Sequence, residues 1–318
     1  MPIDPRLTDK AWRMSRLYKI RDKEKKLVRF VRNAAQKHFN EHKWHRNIIL
    51  KSRQLGFTTD EALDSLDDVL FTQNFDALMI GQDIDTTEDI FDKKIRLAWD
   101  NFKLQHLYNI DLNQSKTLKV NFQNGTFSSI ALDSSGRSGT YHRVHVTEFG
   151  VVAKERPDKA REIIEGTIPA IPKDGRADIE GTAQGAQGLF HDMFWEAWER
   201  GEQTYPEEFK AHFYNWKGDP DVALMEPVSN LPKEILDYQR KYKLNAKEIA
   251  YYFRKWLSVK RDWEMMMSQY PTTPEEAFSA ILKGVICAEE IGRAREQHRF
   301  KLVPWDRQFP VFTVWDLG

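Results

Sequence analysis

Cysteine is nearly missing from this 318-residue chain, which carries only Cys287. One cysteine cannot form an internal disulfide, and no cysteine-rich zinc site is expected. No apolar run approaches the roughly 18 residues of a membrane span. The first residues lack the charged, apolar and small pattern of a signal peptide. Repeats and low-complexity tracts are absent, and net charge is zero, with 48 Lys and Arg against 48 Asp and Glu. These absences exclude a secreted disulfide scaffold, a membrane channel, a repeat solenoid and a zinc finger. A reduced, cytoplasmic setting without a membrane partner is the expectation. No metal-ligand spacing links the nine histidines, so no role is expected for them or for Cys287.

What is present is enough apolar material for a core. Hydrophobic residues make up 41% and charged residues 30% of the chain, a globular composition. The mass of 37.4 kDa suits about two domains, or one large α/β domain with an appendage. The zero charge is unevenly spread. Residues 1–60 hold 16 Lys and Arg against 6 Asp and Glu, a balance of +10, which leaves −10 for the rest. A basic region on an acidic body suits a polyanion or an intersubunit contact. The plainer alternative is a solvated, Lys-rich helix.

Residues 8–40 lack glycine and proline and read as helical, with Leu27, Phe30, Val31, Ala34 and Ala35 at helical spacing. Short apolar runs then alternate with helical patterns. Strands are expected at 47–50, 77–80, 143–147 and 177–182, and helices at 58–71 and 84–104. Asn124-Gly125 splits 118–132 into a hairpin, because it supplies a left-handed turn. Strands alternating with helices predict a mainly parallel sheet covered on both faces. From 216 onward the texture is helical and rich in Trp, Tyr and Met. Trp195, Trp198, Tyr251, Tyr252 and Trp256 read as core aromatics. Thr273-Pro274-Glu275-Glu276 reads as a structural capping box. Val311–Trp315 is a fresh strand near the end. Four regions are expected: a basic helical arm at 1–30, a core at 31–215, a helical lid or linker subdomain at 216–300, and a connector with a first strand of a further domain at 301–318.

The chemistry centres on Lys51-Ser52-Arg53-Gln54-Leu55-Gly56-Phe57-Thr58-Thr59, between an expected strand and an expected helix. Free backbone N–H groups and the helix dipole favour an anion there. Against the phosphate-loop pattern G-x-x-x-x-G-K-[ST], Lys51 takes the first Gly position and Phe57 replaces the Lys, while Gly56 and Thr58 remain. An ordinary strand-to-helix turn is the alternative. Glu148 closes the strand at 143–147, where a carboxylate would activate an attacking water. The acid that usually precedes it is Thr147 here, so Mg²⁺ would rest on Thr58 and on waters. Gln36 carries an amide able to pair with adenine, or is a surface residue. Glu180–Gly185 ends a strand in a glycine-bearing loop that would sense the γ-phosphate or simply turn.

Taken in order, Asn33-x-x-Gln36, Ser52–Thr59, Val144–Glu148 and Gly181–Gly185 resemble the ATPase half of a large terminase subunit, the genome-packaging motor of tailed bacteriophages. Tyr270–Phe278 resembles a further stretch of that family. The resemblance covers about 28 to 318. It implies an α/β P-loop NTPase of the ASCE type, with a mainly parallel sheet flanked by helices and a smaller, mostly helical subdomain. It implies ATP and Mg²⁺ as cofactors. Gln36 would contact adenine. Ser52, Gln54, Gly56, Phe57, Thr58 and Thr59 would lie along the phosphates, with Thr58 on Mg²⁺ and Glu148 reaching it through water. Lys51 or Arg53 would supply the missing cation, and Glu148 would be the catalytic carboxylate. Thr182 and Gln184 would couple ATP state to motion. Arg137, on a small-residue loop, would act as an arginine finger on a neighbouring subunit. Asp316 would be a metal ligand of an RNase H-like nuclease that this chain only begins, so no nuclease activity is expected of it. Partners would be double-stranded DNA, a homo-oligomeric ring (a pentamer by resemblance) on a portal, and the small terminase subunit, in the cytoplasm of a virus-infected host. The alternatives are another P-loop nucleic-acid motor of helicase type, or a nucleotide-binding or docking module without turnover.

Overall fold

The computed structural model describes residues 4–113, 116–133 and 139–279, with positions 293, 294, 297 and 299. Among the described residues ten strands run in chain order: β1 (Lys19–Arg21), β2 (Leu27–Arg29), β3 (Arg46–Lys51), β4 (Asp76–Ile80), β5 (Asn109–Asn113), β6 (Thr117–Asn121), β7 (Phe127–Asp133), β8 (Arg143–Val146), β9 (Arg176–Gly181) and β10 (Phe209–Tyr214). The helices of the first half are α1 (Lys10–Arg16), α2 (Ala34–His42), α3 (Phe57–Phe71), α4 (Ile84–Ile90) and α5 (Leu97–Asp100). Those of the second half are α6 (Phe149–Glu155), α7 (Pro157–Glu162), α8 (Leu189–Arg200), α9 (Lys233–Tyr242), α10 (Ala246–Ser258), α11 (Trp263–Gln269) and α12 (Pro274–Ser279).

Eight strands form one sheet in the order β10-β3-β9-β8-β4-β7-β6-β5, while β1 and β2 pair separately. From β10 to β7 every pairing is parallel, and β7-β6-β5 is antiparallel. In this order β9 is inserted between β3, which feeds the 51–59 loop, and β8, which ends before Glu148. That insertion of a strand between the loop strand and the acid strand is the ASCE arrangement of P-loop NTPases.

Alternation along the strands sets the two faces. Ile48, Leu50, Val144, Val146, Ala177 and Ile179 join one apolar cluster with residues of α6, α7 and α8. On the other face, Ala77 and Met79 pack with residues of α1, α3 and the 90–102 segment. Ile49 packs there with Phe39, Leu55, Phe57 and Tyr214. The helical region from 216 has its own core of Trp216, Ile235, Tyr238, Tyr252, Trp256 and Met266.

The expected strands at 47–50, 77–80, 143–147 and 177–182 and the helix at 58–71 are present, and the hairpin turns at Gly125 with φ +85°. The single helix read over 8–40 is instead α1, the β1–β2 hairpin and α2. Lys25, at φ +63°, and the Asp22 carboxylate, which accepts the Glu24 and Lys26 N–H groups, turn the chain there. Met14, Tyr18 and Phe30 from this region enter the core. Helical spacing alone did not reveal the turn. The stretch 84–104 is helical but interrupted by a π turn at Phe91–Arg96. β5 and β10 have no strong sequence pattern and were not expected. Trp198 is exposed, stacked on Phe194, whereas Trp195 is buried.

Candidate functional site

The loop between β3 and α3 is held in shape by residues far away in sequence. Ser52 N–H donates to the Tyr214 carbonyl at 2.8 Å, and Arg53 N–H to the Gln269 carbonyl at 2.9 Å. Ser52 Oγ donates to the same Gln269 carbonyl at 3.0 Å. The N–H groups of residues 54–58 donate to no acceptor among the described residues. They surround the N-terminus of a 15-residue helix, the arrangement that favours an anion. Gln54 and Gly56 both have positive φ, +65° and +74°. The backbone conformation favours glycine at 56, and a Cβ there, 2.9 Å from Gln36 Nε2, would push that amide aside.

Gln36 is buried and its amide is engaged at both ends. Its Oε1 accepts the Asn33 N–H at 2.9 Å, and its Nε2 donates to the Gly56 carbonyl at 2.8 Å. With Asn33 it forms a capping box on α2. In this arrangement Gln36 braces the loop; contact with a base would require these bonds to exchange.

Phe57 explains why the usual Lys position carries no charge. Its ring is 1% exposed and lies edge-on to Phe39 and against Tyr214, at centroid distances of 5.7 and 4.9 Å. A cation there would be buried in an apolar cluster, which is costly. The two candidate replacements point differently. Arg53 is exposed. Lys51 is buried, with Nζ 2.9 Å from Glu180 Oε2 and 3.7 Å from Glu148 Oε1. Burial pushes the Lys51 pKa down, and Glu148 opposes that shift.

Glu148 follows β8 and caps α6 at φ +54° and ψ +37°, a left-handed conformation uncommon for a residue with a Cβ. Its side chain is one-third exposed and so faces both Lys51 and solvent. Thr58 Oγ1 donates to Glu180 Oε1 at 2.7 Å, and Thr147 Oγ1 donates to the same oxygen at 2.7 Å. The two hydroxyls lie 3.1 Å apart. Thr59 N–H returns to the Gly56 carbonyl at 3.1 Å.

Beyond β9, Gln184 Nε2 donates to Thr182 Oγ1 at 3.2 Å. The Thr182 carbonyl approaches Gly150 of α6 so closely that a Cβ there would stand 2.2 Å from it. Ser268 Oγ donates to the Ala183 carbonyl at 2.9 Å. The end of α11 therefore holds both the 51–59 loop, through Gln269, and the 182–185 loop, through Ser268. Lys255 of α10 adds a bond from Nζ to Gln54 Oε1 at 2.9 Å.

Lys51, Thr58 and Glu148 are thus brought together at the C-terminal ends of parallel strands, where ligands of open α/β sheets bind. Gln36, Ser52, Gln54, Gly56, Thr182 and Gln184 ring them. Arg137, Asp316 and Cys287 lie outside the described residues. Sequence reasoning assigned no role to Ser268 or Gln269, and took Glu180 only as the start of the 180–185 segment. Glu180 was visible only as an acid at an apolar strand's end, and Gln269 acts through its carbonyl, which no side chain signals.

No protein-family model matches the chain, and no curated protein does. Solved structures do. The large terminase of bacteriophage HK97 superposes with a TM-score of 0.56 at 14% identity, covering 85% of this chain and 55% of that one. The large terminase ATPase domain of Thermus phage P74-26 superposes at 0.50 and 16% identity, covering 76% and 93%. This chain has the fold of a phage large terminase ATPase domain. At such identities the likeness is one of architecture.

Proposed function

We propose that this chain is the ATPase motor domain of a viral terminase large subunit, hydrolysing ATP to move double-stranded DNA into a procapsid. The observation that carries the reading is the convergence of a buried Lys51, the Thr58 hydroxyl and the Glu148 carboxylate beside unpaired loop N–H groups. Those N–H groups bind the phosphates. Lys51, three residues before the cradle and already at the acids, is the cation that replaces the missing loop lysine. Glu148, the more exposed acid, accepts a proton from the attacking water. Arg53 remains at the solvent edge as a second positive charge.

Mg²⁺ fits the donor set. Hard oxygens of Thr58, Thr147 and Glu180 meet beside the loop, and Mg²⁺ is normally held by one or two carboxylates together with nucleotide phosphates. When bound, Mg²⁺ neutralises charge on the phosphates.

The ties from Ser268 and Gln269 to the two loops give the helical region a direct mechanical link to the nucleotide site. DNA would be gripped through its phosphates by basic side chains, without sequence preference and with strong salt dependence. The chain would work in a homo-oligomeric ring on a portal, with a small subunit, in the infected host's cytoplasm. Arg137 would reach a neighbour's nucleotide.

The test is steady-state ATP hydrolysis by the chain, Glu148→Gln and Lys51→Ala across a protein-concentration series. Glu148→Gln is expected to lower turnover by roughly 10²–10⁴, and Lys51→Ala to weaken ATP binding as well. Loss in Glu148→Gln alone would move the cation's role to Arg53. Absence of both turnover and binding would sink the ATPase reading.

A further inference from the structure

The acid that ordinarily precedes the catalytic Glu is Thr147 here, and a hydroxyl carries no charge. The neighbouring strand supplies one. Along β9, Ala177 and Ile179 point into the apolar cluster. Alternation sends Asp178 and Glu180 to the opposite face, over α3. Glu180 is paired in register with Ile49 of β3, and the β8–β9 ladder ends at Val146 and Ile179, one residue short of Thr147 and Glu180. The inserted strand thus sets a carboxylate between the loop and position 147.

Its contacts run to the loop and to position 147. Glu180 is fully buried. Its Oε1 accepts the Thr58 and Thr147 hydroxyls, both at 2.7 Å. Its Oε2 meets the Lys51 ammonium at 2.9 Å. A buried carboxylate is costly without compensation. Here the compensating cation is the one that the phosphate-loop reading assigns to nucleotide. When Lys51 turns to phosphate, Glu180 is left beside the Thr58 hydroxyl without its counterion, a place that another cation would fill.

We infer that Glu180 is the metal-site carboxylate of this chain, taking from the adjacent strand the place that Thr147 leaves empty. Before nucleotide arrives, Lys51 occupies it as a counterion. The inference rests on the phosphate-loop reading above. It differs from the sequence expectation, in which Mg²⁺ rests on Thr58, Glu148 and waters alone.

The experiment measures equilibrium ADP binding with and without Mg²⁺, and Mn²⁺ binding in the presence of ADP by electron paramagnetic resonance, on the full chain. The variants are Glu180→Gln and the double variant Glu180→Gln with Thr147→Asp, which moves the carboxylate back to β8. Glu180→Gln should lose roughly 10–100-fold in Mn²⁺ affinity while retaining metal-free ADP binding. The double variant should recover most of that loss. Mn²⁺ binding unchanged in Glu180→Gln would overturn the inference and leave Glu180 as a counterion of Lys51. An equal loss with and without metal, unrescued by Thr147→Asp, would overturn it too. If Glu180→Gln does not fold, the double variant decides: metal-dependent ADP binding supports the inference and its absence overturns it. Failure of the unaltered chain to bind ADP under either condition would mark the phosphate-loop reading itself as wrong.

Discussion

Gly56 stands at φ +74° with Gln36 Nε2 where its Cβ would go. Gly56→Ala should cost about 1–2 kcal/mol from the left-handed backbone alone, and should weaken nucleotide binding because Gln36 must withdraw. Urea unfolding and ADP titration read the two effects separately. His145 sits in the same sheet face, fully buried, with no hydrogen bond to either ring nitrogen. Burial pushes its pKa down to about 4, with Arg143 and Lys51 lowering it further and Glu61 opposing. The folded chain therefore binds this proton less readily than the unfolded chain, whose His titrates near 6.5. The stability it contributes is complete above that value and is lost as pH falls toward 4, about 2 kcal/mol by pH 5. His145→Gln should show a smaller fall in unfolding free energy between pH 7 and 5 than the unaltered chain. Equal falls would show that His145 is not the titrating group.

At the scale of the element, α3 is unusual. It carries five acids, Asp60, Glu61, Asp64, Asp67 and Asp68, and the first four are buried. Each finds a cation brought by another element. Arg32 meets Asp60 and Asp64, both at 2.7 Å, and Arg13 meets Asp67 at 2.6 Å. Arg143, from the start of β8, reaches Glu61, Asp64 and Asp68 at 2.5, 2.6 and 2.9 Å. Arg176 adds Glu61 and Asp64 at 3.1 and 3.2 Å. Alternation on β8 and β9 explains this seam: the residues that miss the apolar face are Arg143, His145, Asp178 and Glu180. Removing one partner leaves charges buried and uncompensated. Arg143→Met should destabilise the fold by roughly 3–5 kcal/mol, measured by denaturant unfolding; a change below about 1 kcal/mol, the range of an exposed pair, would refute the buried-network account. In sequence, 58–71 reads simply as a helix, because nothing local announces the arginines that cover its acids.

Across the whole molecule, the sheet order joins three separate stretches at one edge. β3 delivers Lys51, β8 delivers Glu148 and β9 delivers Glu180, while α11 returns from the helical region to hold the loops that follow β3 and β9. Turnover by Glu148→Gln and Lys51→Ala tests the first two strands, and metal binding by Glu180→Gln tests the third. If the proposed ring completes the site, the rate per chain should also climb with protein concentration; a flat rate would favour a self-sufficient subunit.

Much of the architecture was legible before any tertiary information. Apolar runs at 47–50, 77–80, 143–147 and 177–182 announce buried parallel strands, and Asn124-Gly125 announces the hairpin, because these are local patterns with local causes. The loop at 51–59 and the acid at 148 could likewise be located by their places at strand ends. The β1–β2 hairpin was hidden because its residues also satisfy helical spacing, and β5 and β10 were hidden because half-exposed strands carry weak alternation. Where Lys51 and Arg53 lie, what Gln36 bonds to, and which carboxylate stands beside Thr147 were decided only by the fold. Those answers depend on which strands lie side by side, and strand order is a property of long-range packing that no window of sequence contains.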